Sequence, residues 1–294
     1  MQCSGRTVGK MKILSVFTLF FVVLSCDSFA FDNKSSDFID FVRLSSRVEK
    51  SGEREFIWSW PKVIPSCVFG DYNQADKSLV DVNVRFVSEV TNINFINLFK
   101  KTVRDCPQDT LLYLRFHSKG SHATQLILDD VEAVDGQKGR GDSAVHRSVS
   151  DLGGIFYSFG GNLPPYIFLS IINSGETPFL GSNEVAEELL QKSLFLSITG
   201  VPDQLRLGKF PSFLHDPVSS ITDKPRGILE TTKRRTNLCL FDVMLLRTLY
   251  NYSDSQYNLS GLLKVVKNNY TAIESFSKEI YFKSSYSRIF PKKC

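Results

Sequence analysis

The sequence predicts an α+β chain: a mixed, mostly parallel sheet with packed helices, followed by a helical C-terminal subdomain. Three observations lead there. Apolar strand-like runs, Thr110 to Phe116 and Tyr166 to Ile172, alternate with segments of helical spacing, as in crossover units. A helix with one polar face, Asn183 to Phe195, follows the second run. Two amphipathic stripes, Asn237 to Tyr250 and Leu259 to Phe276, close the chain.

The 294 residues, 42% hydrophobic and 22% charged, suffice for one large domain or two subdomains. Residues 1–30 read as a signal peptide. Lys10 and Lys12 precede an apolar run from Ile13 to Leu24, shorter than the about 20 residues a membrane span needs. Met11 reads as an alternative start to Met1. Two cuts compete. Ser28-Phe29-Ala30 suits signal peptidase, whereas Val23-Leu24-Ser25-Cys26 resembles a lipobox that would acylate Cys26 and anchor the protein to a membrane. Either cut implies export to the periplasm or cell envelope.

Residues 1–30 carry Arg6, Lys10, Lys12 and Asp27, so the remainder holds 32 basic and 30 acidic residues, a net charge of +2. That balance points away from nucleic acid. Lys233-Arg234-Arg235 reads as a solvated loop. Four cysteines remain in the folded part, Cys67, Cys106, Cys239 and Cys294, and an even count in an oxidising compartment favours two disulfides. Their pairing stays open.

Residues 31–54 form a leading helix and linker, with Phe38, Phe41, Val42, Ser45 and Val48 at helical spacing and Ser36 as N-cap. An upper strand-helix-strand subdomain is expected over residues 55–195. Phe56 to Phe69 reads as a strand near a sheet edge, because Pro61 and Pro65 cannot donate to a ladder. Asp71 to Asp76 supply turn residues. Leu79, Val82, Phe86 and Val90 then mark a packed helix, and Thr110 to Phe116 the next strand, giving a right-handed parallel crossover. On that reading Cys67 and Cys106 lie at opposite ends of the sheet, and a bridge within about 7 Å needs connecting loops that fold back.

Residues 118–161 read as an irregular excursion in which Ala123 to Val134 is the one further element. It contains Gly139-Arg140-Gly141-Asp142, an adhesion-like string of a length that arises by chance. Pro164-Pro165 before Tyr166 suits an edge strand or a loop. Residues 196–294 form the helical lower subdomain. Asn33, Asn251, Asn258 and Asn269 fall in glycosylation sequons, which matter only in a eukaryotic secretory pathway.

The helix at 183–195 carries the candidate chemistry. Ser182 or Asn183 caps it, and Glu184, Glu187 and Glu188 sit in its first turns, where the helix dipole favours anions. Capping and solvation alone account for those charges. Glu187 and Gln191, four apart, also share one face with Glu188 beside them, which is the spacing of a HExxH metallopeptidase helix. Here the pattern is EExxQ. Zinc prefers imidazole or thiolate, and a glutamate with no metal-activated water is a weak hydrolytic base.

The ordered set Trp60-Pro61, Phe86-Val87-Ser88-Glu89-Val90-Thr91, Glu187-Glu188-Leu189-Leu190-Gln191, Pro211-Ser212-Phe213 and Leu240-Phe241-Asp242 to Leu249-Tyr250 resembles an uncharacterised proteobacterial lipoprotein family, domain of unknown function 2927. The likeness covers roughly residues 55 to 255. It implies a zincin-like fold lacking HExxH and an envelope location, with no established reaction. The chain departs from that family in ending the helix with Ser193-Leu194-Phe195 rather than a leucine-glycine pair, which leaves the exit turn open.

Two functions follow as expectations. In the first, the protein is a noncatalytic zincin-like binding module, with Tyr166 to Ile172 holding an extended peptide or envelope protein by strand addition. In the second, it is a metal-dependent hydrolase with atypical ligands, Glu187 and Glu188 joined by His215 from Phe213-Leu214-His215-Asp216. His117, His122 and His146 are too isolated to contribute, and no nucleophile signature occurs. No cofactor or metal is assigned; Glu188, Glu187, Gln191 and His215 stand as candidates only.

Overall fold

The computed structural model describes residues 34–46, 48–51, 54–57, 59–118, 123–139, 146–150, 153–158, 166–175, 184–201, 210, 212, 238–252 and 258–290. Residues 1–33, positions 140–142 of the adhesion-like string, the basic triplet 233–235, His122, His215 and Cys294 lie outside them.

Helix α1 spans residues 34–45 and buries Phe38, Phe41 and Val42. A two-stranded antiparallel hairpin follows, β1 (Val48–Ser51) and β2 (Arg54–Ile57). The main sheet begins with β3 (Val63–Gly70), then α2 (Gln74–Thr91), β4 (Asn94–Phe99), a 3-10 turn at Val103–Asp105 and β5 (Leu112–His117). Helix α3 (Ala123–Gln137), strands β6 (His146–Ser150) and β7 (Gly153–Ser158), and β8 (Tyr166–Ile172) complete it. Helices α4 (Glu184–Thr199), α5 (Leu240–Asn251) and α6 (Leu259–Tyr281) follow.

The six strands lie in the order β4-β3-β5-β8-β7-β6. The first four are parallel, and the β6–β7 hairpin adds antiparallel to β8. The chain leaves β3 toward β4 on one side and returns past it to β5 on the other, so the topological switch point lies between β3 and β5. The α+β class is thus observed.

Alternation along the strands separates two faces. Ile64, Val68, Leu114 and Leu169 point to the side covered by α2, α4, α5 and α6, in one apolar cluster that also takes in α1. Cys67, Phe69, Tyr113, Tyr166 and Phe168 point to the other, beneath Ile127, Val131 and Val134 of α3. There Phe69 meets Phe168 edge-on at 5.8 Å and Tyr113 meets Tyr166 likewise at 5.8 Å. Arg115 of β5, buried in this face, pairs with Asp130 of α3 at 2.5 Å.

Several elements differ from the sequence reading, each for a physical reason. β3 is internal rather than an edge. The nitrogen of Pro65 points to the β5 side just before that ladder begins at Ser66 opposite Leu112, so the missing donor breaks no bond, while its carbonyl accepts the Leu111 N–H at 2.9 Å. β4 was not anticipated because Asn-Phe-Ile-Asn-Leu-Phe places its apolar residues in adjacent pairs instead of alternating. Ser36 lies inside α1 rather than capping it, and Val48 belongs to β1.

β4 also removes the difficulty over the cysteines. Cys106 lies on the return path from the end of β4 to the start of β5, which crosses the face toward which Cys67 points. The two form a disulfide with Cα atoms 5.8 Å apart. Cys239, the N-cap of α5, is disulfide-bonded as well.

Gly70 ends β3 at φ +90°, and a Cβ there would stand 2.2 Å from the carbonyl oxygen of Phe116. Only glycine allows β3 and β5 to finish side by side.

The Cys67–Cys106 bridge spans 39 residues of sequence, which corresponds to about 4 kcal/mol of loop entropy removed from the unfolded chain. The double variant Cys67→Ala, Cys106→Ala should therefore lose up to about that much stability in urea unfolding. An unchanged midpoint would show that packing of α2 and β4 already closes the loop in the unfolded ensemble.

Candidate functional site

Helix α4 is a core element. From Leu190 to Val201 every residue is buried, and it runs four residues past Phe195 before Gly200, at φ +67°, turns the chain out with its N–H on the Leu196 carbonyl at 2.9 Å. A helix end buried this deeply needs partners for its last carbonyls. Trp60 donates its indole N–H to the Ser197 carbonyl at 2.8 Å, and the Tyr250 hydroxyl donates to the Ile198 carbonyl at 2.5 Å. The Trp60 N–H in turn donates to the Tyr250 oxygen at 3.2 Å, and burial pushes the Tyr250 phenol well up. Ser197 and Thr199 bond back to the Ser193 and Phe195 carbonyls at 2.5 and 2.8 Å.

The residues at HExxH spacing are set into this packing. Glu187, 7% exposed, accepts a hydrogen bond from Arg288 at 2.9 Å, and Glu188 is half-buried. Gln191 is 3% exposed, and its amide oxygen has no hydrogen-bond partner among the described residues. Leu190 and Leu194, on the adjoining face, meet Val80, Val84 and Leu169 around a cavity of about 10 Å³, room for no more than about one water. Among the described residues no group of three His, Cys, Asp or Glu side chains is arranged to hold a metal.

Arg288 belongs to a C-terminal strap that follows α6. Lys283 and Tyr286 both donate to the Glu89 carboxylate of α2 at 2.6 Å. Tyr286 and Phe290 stand edge-on to Phe86 at 5.5 and 5.4 Å, and Tyr281 packs on Phe290 at 4.6 Å. Burial would raise Glu89, but its bonds to Lys283 and Tyr286 outweigh that and hold it below its ordinary 4.5. Burial, with the Glu89 carboxylate second, pushes the Tyr286 phenol up. The strap therefore lies along α2 and reaches α4.

Three more residues of the ordered set, Thr91, Ser212 and Asp242, are also placed by packing; Pro211 and Phe213 lie outside the described residues. Asp242 is fully buried, and its carboxylate accepts the Cys239 N–H at 2.6 Å and the Ser212 hydroxyl, closing the N-terminus of α5. Thr91 bonds the Val87 carbonyl at 2.6 Å and receives the Ile93 N–H at 3.2 Å, completing the exit of α2.

A second polar cluster, not anticipated as such, occupies the carboxyl ends of β3, β5 and β8 at the switch point. Asp76 takes the Asn73 N–H at 2.8 Å on one oxygen and the Ser174 N–H at 2.9 Å on the other, binding the start of α2 to the end of β8. Asn173 donates to the Asp71 carbonyl at 3.1 Å and to Ser118 at 3.2 Å. His117 Nδ1 and Ser170 Oγ are 3.0 Å apart, but at 2% and 1% exposure no substrate reaches the hydroxyl. The signal that could have revealed part of it is Asn73-x-x-Asp76, a capping box.

The peptide-holding role expected of Tyr166 to Ile172 is corrected by the sheet order. β8 is paired with β5 on one side and β7 on the other, so neither edge is open to a further strand.

Two measurements follow. Replacing Gln191 by Leu substitutes an apolar side chain of similar length for an amide whose oxygen is unpartnered, so stability should stay level or rise by up to about 1 kcal/mol; a clear loss would reveal an amide partner. Because Glu89 is depressed, the strap's contribution should be full above pH 4.5 and fade as the pH falls below it. Hydrogen exchange at residues 283–290 should rise on acidification in the parent but show no such step in Glu89→Gln. Comparison with protein-family models, curated proteins and solved structures finds no match to this chain.

Proposed function

We propose that this chain is an exported, noncatalytic binding module of zincin-like ancestry that takes up an extended polypeptide at the free edge of β4. The observation that carries the reading is the edge itself. Among the described residues β4 ends the sheet, and its six residues contain no charge, proline or bulge of the kind that usually blocks edge pairing. Ile96 and Leu98 are 48% and 37% exposed beside it.

The backbone geometry suits strand addition. The Asn94 and Lys100 N–H groups turn inward to the Lys62 and Val68 carbonyls at 2.8 and 2.9 Å, so by alternation Phe95, Asn97 and Phe99 direct theirs outward. The noncatalytic part of the reading draws on Glu187, committed to Arg288, and on Gln191, enclosed in the core. Export is supported by the leader in the sequence and by the Cys67–Cys106 bridge, a bond that persists in oxidising compartments. Zincin-like ancestry draws on the order of the motif residues, of which Trp60 and Tyr250 meet at α4.

Asn97→Pro removes an outward N–H that β3 does not use, and so should leave the fold intact. Panning the folded protein against a displayed library of short extended peptides should return binders that photo-cross-link to position 96 and are lost in Asn97→Pro. Binders that cross-link elsewhere and ignore the proline would overturn the assignment of the site.

A further inference from the structure

We infer that the strand accepted at this edge is β4 of a second copy, so that two chains form a two-fold dimer through one continuous sheet. This rests on the strand-addition reading of β4 and names its partner.

The argument starts from register. A two-fold axis through Asn97 sets the strands antiparallel with Asn97 opposite Asn97, Phe95 opposite Phe99 and Ile96 opposite Leu98. The outward residues Phe95, Asn97 and Phe99 then all fall in hydrogen-bonded pairs, so every outward N–H and carbonyl of the strand is satisfied at once. Aromatic lies against aromatic on the helix-bearing face, and the exposed Ile96 meets Leu98 on the other. The Asn97 amide oxygen, buried and without a partner in one copy, comes within cross-strand reach of a second amide.

Charge agrees with this register. Lys77 sits over the Phe99 ring at 5.2 Å, and Val80 and Val84 face inward on the cavity that Asn97 also lines, so α2 runs over β4 with its exposed stripe turned outward. Asp81 and Arg85, both exposed and four and eight residues on from Lys77, lie on that outward stripe. With strands about 4.8 Å apart and α2 lying over the β3–β4 pair it connects, the axis would set the two α2 helices antiparallel at about 10 Å, within helix-packing distance. The axis sets Asp81 of each copy against Arg85 of the other. Lys100 faces Asn94 across the strands, so like charges do not meet there. The strand edge alone falls short of the roughly 1,000 Å² a specific interface buries in total; the α2 pair supplies the remainder and sets the expectation of a weak dimer.

The test combines sedimentation velocity over a concentration series with a cysteine at the axis. Asn97→Cys should cross-link into a disulfide dimer under mild oxidation, since hydrogen-bonded antiparallel pairs hold Cα atoms about 5.5 Å apart. Ile96→Lys with Leu98→Lys should weaken dimerisation at least tenfold while the Cys67–Cys106 bridge and far-ultraviolet spectrum stay unchanged. Asp81→Arg should weaken it, and Asp81→Arg with Arg85→Asp should restore it, which a mere loss of folding would not do. A protein monomeric at every concentration, or a dimer indifferent to the two lysines, overturns the inference. A monomer that still captures library peptides at position 96 overturns the dimer alone, whereas one that captures none there removes the binding-module reading too.

Discussion

Helix α4 is buried through its second half, and much of the surrounding chain is arranged by what that burial requires. Its second half is closed off from water on all sides, so each polar group it carries requires a partner inside the protein. The last carbonyls go to Trp60 and Tyr250, the hydroxyls of Ser197 and Thr199 return to the helix backbone, and Gly200 lets the chain leave in a left-handed turn. Glu187, near the opposite end, goes to Arg288. Residues from the segment just before β3, from α5 and from the C-terminal strap are thereby gathered around one helix. Of the ordered set that suggests a degenerate peptidase helix, Trp60 and Tyr250 support this helix, while Asp242 with Ser212 closes the start of α5 and Thr91 the exit of α2.

The sheet organises what lies around that helix. Its two faces differ in how they are held: one by four helices and a broad apolar cluster, the other by a single helix, an ion pair between Arg115 and Asp130, and a disulfide. The switch point between β3 and β5 is where open sheets commonly bind ligands. Here the side chains at that place are taken up by their neighbours: the Asp76 carboxylate accepts the Asn73 and Ser174 N–H groups, and the Asn173 amide donates to the Asp71 carbonyl and the Ser118 hydroxyl. Among the described residues the outer edge of β4 leaves backbone groups unpaired within the sheet, and the functional proposals follow from it.

Legibility in the sequence tracked how local the determining signal is. Helices α2, α5 and α6 were readable because an amphipathic stripe repeats over several turns, and β5 and β8 because buried parallel strands are apolar throughout. β4 was not, since Asn94, Ile96 and Leu98 are exposed while Phe95, Asn97 and Phe99 are half-buried, so polarity does not mark its faces. The β6–β7 hairpin was hidden by Gly153, Gly154 and its serines, poor strand formers that take strand form by pairing with β8. The Glu187 and Gln191 spacing was visible; their burial was not, because one polar face of a helix reads alike against water, a metal or a strap from the far end of the chain.

Composition and periodicity were enough for the α+β class, the buried strands β5 and β8, the polar face on the helix after β8 and an even set of cysteines beyond residue 30. Those properties are written in composition and in periods of two and 3.6 residues. Tertiary structure alone decided that β3 and β8 are internal, that Cys67 reaches Cys106, that Glu187 meets Arg288 about a hundred residues on, and that β4 is left as an edge. Each of these depends on which distant segments become neighbours. A chain's local pattern states what a residue requires, and only the packed fold states which partner supplies it.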